Sequence, residues 1–486
     1  MRKIWLLFLL ILTTFFVSCG GADTAIPTAT SEPATEIAVV EPTATDTATA
    51  EPTVTDTAIP STNTPTTEPP TATTPPTATT SPTPTDEPTE TPTTTATSTN
   101  PDPTSVNPNP TSVEPNPTST EPDPTAESTP SGPPPPAPPA NPGGVEAPTD
   151  YNYPANTDVV GWENRIRVPA GFSVNYYGRV DGQPTSIAFS PVDGQLYIAV
   201  QAGTIYKMDS AGGVSTYAGG FLVPTGIAFR PGTNDLYVSS RVVEANVGGE
   251  AQVSIVNRGQ LIGGLPCCYT FYHAANGIAF GPDGFGYVGV GARADHGEIL
   301  DGPNAGQQDE LHPLEASILR FNPDTGEVSV YATGFRNPYD IAWDGFGQLW
   351  ATDNTPDFDP PERLHRVVPG ANHGYPYYDC DVCFSPPPGV TVIPPLGLFT
   401  PSSSPTGVAV YNGSQFPGYN NAIFVTLWSA FVGAQKVMHI GAGGSSAPVN
   451  FATGFAAPID VVTGPDGSLY VADWATGIIF QISYTG

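Results

Sequence analysis

The chain has 486 residues and a formal net charge of −31, with 46 acidic against 15 basic side chains. Residues 20–150 hold 18 acidic and no basic side chains, and residues 151–486 hold 28 acidic and 13 basic ones. Nucleic-acid binding requires clustered lysine and arginine against phosphate, so this composition argues against a nucleic-acid partner. An acidic exported domain remains compatible with a calcium site.

Residues 1–19 are predicted to be a lipoprotein-type signal peptide. Arg2 and Lys3 precede an apolar run at 4–17, which is short for a membrane span. Small residues flank Cys19 in a pattern that resembles a bacterial lipobox, with Phe16 where leucine is usual. We expect Cys19 to be the lipidated first residue of an exported protein anchored to the cell membrane or cell surface. The alternative is an ordinary signal peptide with an incidental cysteine.

Residues 20–150 are predicted to be a disordered stalk. Threonine, proline, serine, alanine and glutamate dominate this stretch in near-repeats. It has too little apolar surface to offset the entropy of ordering, and its prolines keep it extended. We therefore expect a tether that holds the folded part away from a membrane or wall.

Six strand–turn–strand units follow, and they predict an all-β, six-bladed β-propeller over residues 151–486. Each unit has an apolar strand, a turn of glycine, proline, aspartate or asparagine type, and a second strand. The equivalent aliphatic residues recur 40 to 67 positions apart. We expect the strand at 171–178 to pair with the last blade and close the ring. The aliphatic positions are Ile187, Ile227, Ile278, Ile341, Val408 and Val461, and the second-strand aromatics are Tyr197, Tyr237, Tyr287, Trp350 and Tyr470.

Four cysteines remain in the folded part: Cys267, Cys268, Cys380 and Cys383. An even number in an exported chain favours two disulfides, for which three connectivities are possible. A zinc site is the less favoured alternative, because the loops that carry these cysteines are rich in aromatic and turn residues rather than knuckle-like glycines.

His273 stands directly before the first strand of the third unit, and no other unit has a histidine there. Loops from every blade of a propeller converge on the central channel, where ligands bind. A neutral imidazole there can act as a general base near neutral pH. The alternative is a structural histidine that only forms hydrogen bonds.

An ordered set of motifs carries a family resemblance. It consists of H-x-x-x-G-x-x-F-G-P-D-G at 273, G-F-R-N-P at 334, W-A-T-D-N at 350, P-G-A-N-H-G-Y-P at 369 and P-D-G-S-L-Y-V-A-D at 465. Together these resemble the glucose/sorbosone dehydrogenase family over most of residues 165–486. That family contains six-bladed propellers that bind calcium and pyrroloquinoline quinone (PQQ) and oxidise sugars.

The resemblance implies roles for four residues. His273 matches the family's base, which takes the proton of the sugar hydroxyl as hydride moves to the quinone. Asn337 matches the asparagine that hydrogen-bonds PQQ, Lys436 matches a lysine that faces it, and Gln201 lies on a loop that supplies a polar contact. The alternatives are a turn residue before proline for Asn337 and a solvated strand charge for Lys436.

The resemblance also implies a calcium site in the loop after the fourth unit. Its residues are Asp353, Thr355, Pro356 and Asp357, with the backbone carbonyls of Thr355 and Pro356 as ligands. Oxygen-rich loops of this type suit a hard cation, although a cluster of Asx turns needs no metal. The family's Asp-Glu-Leu-Asn after this loop is Glu-Arg-Leu-His at 362–365.

Several family positions are replaced. A family arginine before the last unit is Ala457, and the family's His-Gly-Ser-Trp of the fifth blade has become Leu-Trp-Ser at 427–429. PQQ carries three carboxylates, so lost cations weaken its binding. Arg293 and Arg336 are candidates to compensate.

The sequence thus predicts an exported, membrane-tethered, PQQ-dependent sugar dehydrogenase of aldose type, with a small sugar as substrate and an unidentified electron acceptor. A degenerate propeller that serves as a surface binding module is the alternative. A calcium-dependent lactonase ranks last, because the chain lacks the carboxylate and asparagine set needed for a metal in the channel.

Overall fold

The computed structural model describes residues 144–243, 249–268, 273–357, 360–378, 380–431 and 433–486. The predicted signal peptide, Cys19 and the stalk up to residue 143 lie outside the described residues. Over the described ranges, no helix combines the length and apolar character needed to cross a membrane.

The described residues form six four-stranded antiparallel sheets, as the six repeat units predict. The chain enters through a short helix, α1 (Val159–Arg165), and strand β1 (Phe172–Arg179). Blade 1 contains β2 (Pro184–Phe189), β3 (Leu196–Val200), β4 (Ile205–Met208) and β5 (Val214–Ala218). Blade 2 contains β6 (Leu222–Phe229), β7 (Leu236–Val243), β8 (Gly249–Ile255) and β9 (Gly259–Cys267). Blade 3 contains β10 (Ala275–Phe280), β11 (Gly286–Val290), β12 (Ser317–Phe321) and β13 (Val328–Thr333).

The remaining blades repeat this order. Blade 4 contains β14 (Ile341–Trp343), β15 (Leu349–Asp353), β16 (Glu362–Arg366) and β17 (Gly397–Phe399). Blade 5 contains β18 (Pro405–Val410), β19 (Ile423–Leu427), β20 (Lys436–Ile440) and β21 (Val449–Thr453), with a 3-10 turn at Ala442–Gly444. Blade 6 contains β22 (Pro458–Thr463), β23 (Leu469–Asp473) and β24 (Ile478–Tyr484). Neighbouring inner strands, from β2 to β22 and back to β2, contact each other in a ring.

Strand β1 closes the ring, which confirms the prediction for residues 171–178. It pairs antiparallel with β24, from Phe172 opposite Tyr484 to Arg179 opposite Ile478, and so supplies the fourth strand of blade 6. Residues that the sequence assigns to the end of the stalk also bind the propeller. Val145 N donates to Asn450 O at 3.2 Å, and Thr453 Oγ1 donates to Glu146 O at 3.0 Å.

In several units the turn aspartate holds the aromatic side chain of the second strand. Asp283 Oδ2 accepts a hydrogen bond from the Tyr287 hydroxyl at 2.9 Å, and Asp466 Oδ2 accepts one from the Tyr470 hydroxyl at 3.2 Å. The following glycine, Gly284, has a φ of +80°, which side chains disfavour. The turn therefore sets the register of its hairpin and holds the aromatic ring of the second strand.

Those same aromatic rings join the blades. Tyr237 of blade 2 meets Phe280 of blade 3 edge-on, with ring centroids 5.0 Å apart. Equivalent contacts link blades 1 and 2, 3 and 4, and 6 and 1; they are Tyr197–Phe229, Tyr287–Trp343 and Tyr470–Phe189. Each such pair contributes about 0.5–1.5 kcal/mol beyond the area that it buries.

A tyrosine crosses the central channel. Tyr339, just before β14 of blade 4, donates from its hydroxyl to Thr185 O of blade 1 at 3.0 Å. Blades 4 and 1 stand opposite each other in a ring of six, so the buried phenol obstructs the channel near the start of the inner strands. We call it the channel floor.

Two aspartates of the inner-strand segments, Asp340 of blade 4 and Asp460 of blade 6, connect neighbouring blades. Asp340 Oδ2 accepts from Val408 N at 2.8 Å, and Asp460 Oδ2 accepts from Ile187 N at 2.7 Å, so each links two neighbouring blades. Burial raises the pKa of Asp460 to about 7, and burial together with the charge of Asp460 raises the pKa of Asp340.

Because the pKa values of Asp340 and Asp460 are raised in the folded state, we predict that stability falls as pH rises. The folded state retains protons that the unfolded state has lost above its ordinary aspartate pKa of 3.8, so the free energy of unfolding decreases up to about pH 7. One proton contributes a slope of at most about 1.4 kcal/mol per pH unit. Asp340→Asn keeps an oxygen for Val408 N and should make this decline shallower in urea titrations between about pH 5 and about pH 8.5.

The exposed loop aspartate Asp301 provides the control, and Asp301→Asn should retain the wild-type slope. An unchanged slope in Asp340→Asn would contradict this assignment of the channel carboxyls.

Candidate active site

The candidate site residues lie on one face of the ring, where the inner strands begin and the second strands end. We call this the upper face. His273, Arg336 and Asn337 precede inner strands, Gln201 and Arg293 follow second strands, and Lys436 begins a third strand. The metal candidates Asp353, Thr355, Pro356 and Asp357 lie at the end of β15 and in the loop after it. The blade topology alone brings them to this face, because alternate strands run in opposite directions.

His273 is buried at the entrance to β10. Its Nδ1 lies 3.2 Å from Ala292 O, so a proton on Nδ1 donates to that carbonyl and the basic lone pair is then on Nε2. Burial and the nearby guanidinium groups of Arg336 and Arg241 hold the pKa of His273 well below its usual range. The imidazole is therefore neutral at physiological pH, which is the form that a general base requires.

Asn337 is tied directly to the blade that carries His273. Asn276 Nδ2 in β10 donates to Asn337 Oδ1 at 2.7 Å, so the Asn337 amide nitrogen is the group left to meet a ligand. Gly291 permits this approach: a Cβ at that position would lie 2.8 Å from Asn337 Oδ1 and 3.1 Å from His273 Cα. The structure thus brings His273 and Asn337 together through Asn276 and Gly291.

Asp353 has a different environment from the one expected of a metal ligand. Its side chain is fully buried, with Oδ1 accepting from Asn337 N at 2.8 Å and Oδ2 accepting from the Tyr378 hydroxyl. The buried imidazole of His365 lies 3.7 Å from Oδ2. Oδ1 therefore holds the Arg-Asn-Pro turn directly, and Oδ2 holds Tyr378, whose hydroxyl accepts a hydrogen bond from Arg336 N at 3.3 Å. The sequence did not reveal this supporting role.

The predicted calcium loop offers backbone carbonyl oxygens rather than buried carboxylates. Thr355 N donates to Glu362 Oε2 at 2.8 Å, which fixes the loop to β16. Burial raises the pKa of Glu362 to about 8. Within the described ranges, the carbonyls of Thr355 and Pro356 accept no hydrogen bond, and no group of three or more His, Cys, Asp or Glu side chains could hold a metal. The ligands available to calcium here are backbone carbonyl oxygens, with the Asp357 carboxylate nearby.

The two predicted arginines are both paired with carboxylates. Arg336 Nη2 lies 2.6 Å from Asp295 Oδ1 and 3.5 Å from Asp357 Oδ1. Arg293 Nε donates to Glu315 Oε2 at 2.7 Å, and its backbone N–H donates to Oε1 of the same residue at 2.6 Å. Arg336 is buried in the site, whereas Arg293 is anchored to the wall of its own blade.

Lys436 points away from the channel. Its ammonium donates to Asn450 Oδ1 of β21, the outermost strand of blade 5, at 3.1 Å. Contact with a ligand over the channel would require a different rotamer. Gln201 is half-buried at the end of β3, where its backbone N–H donates to Gln183 O at 2.8 Å. The Lys436 ammonium thus lies apart from the bonded group around His273 and Asn337.

Sequence reasoning missed two features of the upper face. One is the pair of indoles Trp428 and Trp474 after the second strands of blades 5 and 6, which meet edge-on with centroids 5.5 Å apart. Both pack against the hydrophobic cluster that includes Tyr339. The other is Arg241, a buried guanidinium near the end of β7. A partial signal for the indoles was their shared place after a second strand, but no sequence pattern indicated that Arg241 is buried.

The cysteines pair with their sequence neighbours. The structure joins Cys267 to Cys268 at the end of β9 and Cys380 to Cys383 in the loop between β16 and β17. The first pair stands only a few residues before His273 in the chain.

Gly291→Ala tests the close approach between blades 3 and 4. The added Cβ must displace the Asn337 amide or the backbone at His273, which should break the Asn276–Asn337 bond and cost about 1–3 kcal/mol of unfolding free energy. Gly219→Ala is the matched control, since its Cβ would meet nothing closer than 3.9 Å, and it should change stability by less than about 0.5 kcal/mol. Urea unfolding and a crystal structure give the readout; wild-type stability with the Asn276–Asn337 bond intact in Gly291→Ala would refute the argument.

Comparison with known proteins agrees with this architecture. An uncharacterised protein of Synechocystis sp. is 28% identical over 111 residues, which cover 21% of this chain and 26% of that relative. The soluble aldose sugar dehydrogenase of Escherichia coli, solved in its apo form, is 16% identical with a TM-score of 0.51, over 64% of this chain and 99% of that one. A Trichoderma reesei carbohydrate-active enzyme of family AA12 is 15% identical with a TM-score of 0.50, over 70% of this chain and 100% of that one. At these identities the structural likeness shows the fold.

The family model for glucose/sorbosone dehydrogenase matches residues 182–480, which include all six inner strands and every described candidate residue of the site. The chain therefore belongs to the glucose/sorbosone dehydrogenase family.

Proposed function

We propose that this protein is a PQQ-dependent sugar dehydrogenase of aldose type, with His273 as its general base. The observation that carries the proposal is the close approach of His273 and Asn337 where blades 3 and 4 meet. Asn276 and Gly291 fix these two side chains against each other above the channel floor. A neutral, buried imidazole beside an amide donor is the arrangement that the proposed chemistry requires.

The Nδ1–H to Ala292 bond orients the imidazole so that Nε2 is the basic atom. In the proposed reaction, Nε2 accepts the proton of a sugar hydroxyl while the C–H bond of the carbon that bears this hydroxyl breaks. Bound PQQ would supply the two-electron acceptor for the hydride. The Asn337 amide would orient the ligand, and its position depends on Asp353 through the 2.8 Å bond to the Asn337 backbone N–H.

The half-buried indoles of Trp428 and Trp474 support a sugar as the substrate. They border the same face as the channel floor and present aromatic surface that remains partly exposed. Amphipathic rings of this kind suit ligands that combine apolar C–H faces with hydroxyl groups.

Calcium is the proposed metal, held by the carbonyls of Thr355 and Pro356 with Asp357 nearby. Hard cations prefer such oxygen ligands, and the hydrogen bond from Thr355 N to Glu362 gives the loop a fixed shape. The loop follows Asp353, so a metal there would stand next to the Arg-Asn-Pro turn.

A surface binding module is the second candidate function. Two observations favour it: the Lys436 ammonium lies on the outer strand, and Ala457 stands where the family has an arginine. Both reduce the positive charge available to a tricarboxylate.

His273→Asn is the direct test of the first function. With calcium and PQQ added to the full-length chain, dye reduction by a panel of aldoses should fall by about 10²–10⁴-fold in kcat, because a general base contributes that much. PQQ binding measured by calorimetry should change little. The exposed His312 serves as the control, and His312→Asn should keep wild-type activity.

If the wild-type protein binds calcium but neither binds PQQ nor reduces dye, the dehydrogenase function is excluded. The surface binding module would then be the favoured function. Full activity in His273→Asn would exclude His273 as the base.

We also propose export and lipid anchoring through Cys19, which rests on the sequence pattern of residues 1–19. When the full-length chain is expressed in bacteria fed a labelled fatty acid, the wild type should be labelled and sediment with membranes. Cys19→Ala should lose the label and the sedimentation. A wild-type chain without label, or a variant that remains on membranes, would contradict the anchor.

A further inference from the structure

We infer that Tyr378 is a positioning residue for Asn337, and that its hydroxyl holds the Arg-Asn-Pro turn at 336–338 where the Asn337 amide meets a ligand. The inference rests on the proposed function and adds a residue to it, since Tyr378 lies two positions beyond the P-G-A-N-H-G-Y-P motif. Tyr378 belongs to the loop between β16 and β17. We call residues 374–378 and 380–384 of this loop the tyrosine loop.

The Tyr378 hydroxyl joins the turn to Asp353. It donates to Asp353 Oδ2 and accepts from Arg336 N at 3.3 Å, and the whole residue is only 4% exposed. Asp353 Oδ1 accepts from Asn337 N at 2.8 Å. Two successive N–H groups of the turn therefore end on one buried pair of phenol and carboxylate. Hydrogen bonds to a carboxylate are among the stronger ones, so this pair fixes the backbone from which the Asn337 amide extends.

A second tyrosine of the same loop reaches the segment beside His273. The buried Tyr375 donates from its hydroxyl to Ala294 O at 2.9 Å. Tyr375 and Tyr378 pack with Ala292 in one hydrophobic cluster. Ala292 O is the acceptor that orients the His273 imidazole. The tyrosine loop thus contacts the segment of blade 3 that holds the proposed base as well as the turn of blade 4.

The orientation of the phenol is fixed from several sides. The Cys380–Cys383 disulfide closes a short ring of the chain two residues beyond it, and Cys380 N donates to Tyr378 O at 3.1 Å. The Arg363 guanidinium stacks over the Tyr378 ring, 4.0 Å from its centroid. A side chain held in one orientation can fix a neighbouring group, as the precise geometry of an active site requires.

Loss of the hydroxyl alone should release the turn. Tyr378→Phe keeps the ring and its packing but removes the acceptor of the bond from Arg336 N. It also removes the donor to Asp353 Oδ2, which lies 3.7 Å from the buried His365 imidazole. The carboxylate is then able to turn toward His365, which draws Oδ1 away from Asn337 N. Displacement of Asn337 should slow the reaction, since a misplacement of about 1 Å costs about 10²-fold in rate.

The test compares the wild-type full-length chain with Tyr378→Phe and Tyr411→Phe. Tyr411 is the matched control: its buried hydroxyl also donates to a protein oxygen, Gly467 O at 2.7 Å, and accepts from a backbone N–H, but Gly467 lies in the turn between β22 and β23, on the face opposite the site. With calcium and PQQ, Tyr378→Phe should lower kcat for an aldose about 10- to 100-fold with little change in KM. Tyr411→Phe should keep the wild-type kcat.

A measurement on the apo protein tests the same inference without activity. Hydrogen–deuterium exchange of the backbone amides at 334–340 should be faster in Tyr378→Phe than in the wild type, and unchanged in Tyr411→Phe. If Tyr378→Phe does not fold, the Cys380→Ser, Cys383→Ser double variant carries the comparison, because it loosens the tyrosine loop and retains the hydroxyl. It should show the same direction of change in exchange and in kcat.

Thermal unfolding separates positioning from stability. A merely structural hydroxyl would lower Tm in both tyrosine variants and leave kcat and the exchange at 334–340 as in the wild type, which would overturn the inference and leave the proposed function intact. Wild-type exchange and kcat in the double variant would overturn it as well. Failure of the wild type to bind PQQ would overturn the proposed function, and exchange in the apo variants would still support or overturn the hold of Tyr378 on the turn.

Discussion

Edge-to-face contacts between aromatic rings of neighbouring blades hold this ring together. Tyr237 on Phe280 and Tyr287 on Trp343 show the pattern: a second-strand ring packs against the inner strand of the next blade. The turn aspartate of its own hairpin, Asp283, holds the Tyr287 hydroxyl, whereas the Tyr237 hydroxyl donates to Pro323 O of blade 3 at 2.8 Å. The first strand of the propeller, β1, completes the last blade and so closes the ring.

The site depends on this close packing. Blade 4 presents the Arg-Asn-Pro turn to blade 3, where Gly291 leaves room for the Asn337 amide. Asp353 holds the turn from behind, and Asn276 holds it from the front. His273 therefore stands against a rigid partner, and burial with two nearby guanidinium groups keeps its imidazole neutral. The geometry of the site is a consequence of how two blades meet.

Periodic features of the chain allowed the fold to be predicted, since the Pro-Asp-Gly turns and the aliphatic positions recur in every unit. The repeats also predict the direction of each strand, and strand direction places the site residues on one face of the ring. Side-chain direction does not follow from such patterns. Lys436 reaches an outer strand, and Asp353 turns inward to Asn337 and Tyr378. Long-range contacts of this kind, including the reach of Tyr339 across the channel, have no local signal in the sequence.

The central claim is that the upper face binds PQQ beside His273 and Asn337. A crystal structure of the full-length chain with calcium and PQQ added tests this most directly. We expect electron density for the flat ligand above Tyr339, with the Asn337 amide nitrogen within hydrogen-bond distance of it. His273 Nε2 should face the quinone across a space large enough for a sugar hydroxyl. Ligand density elsewhere on the ring, or none at saturating PQQ, would contradict the account.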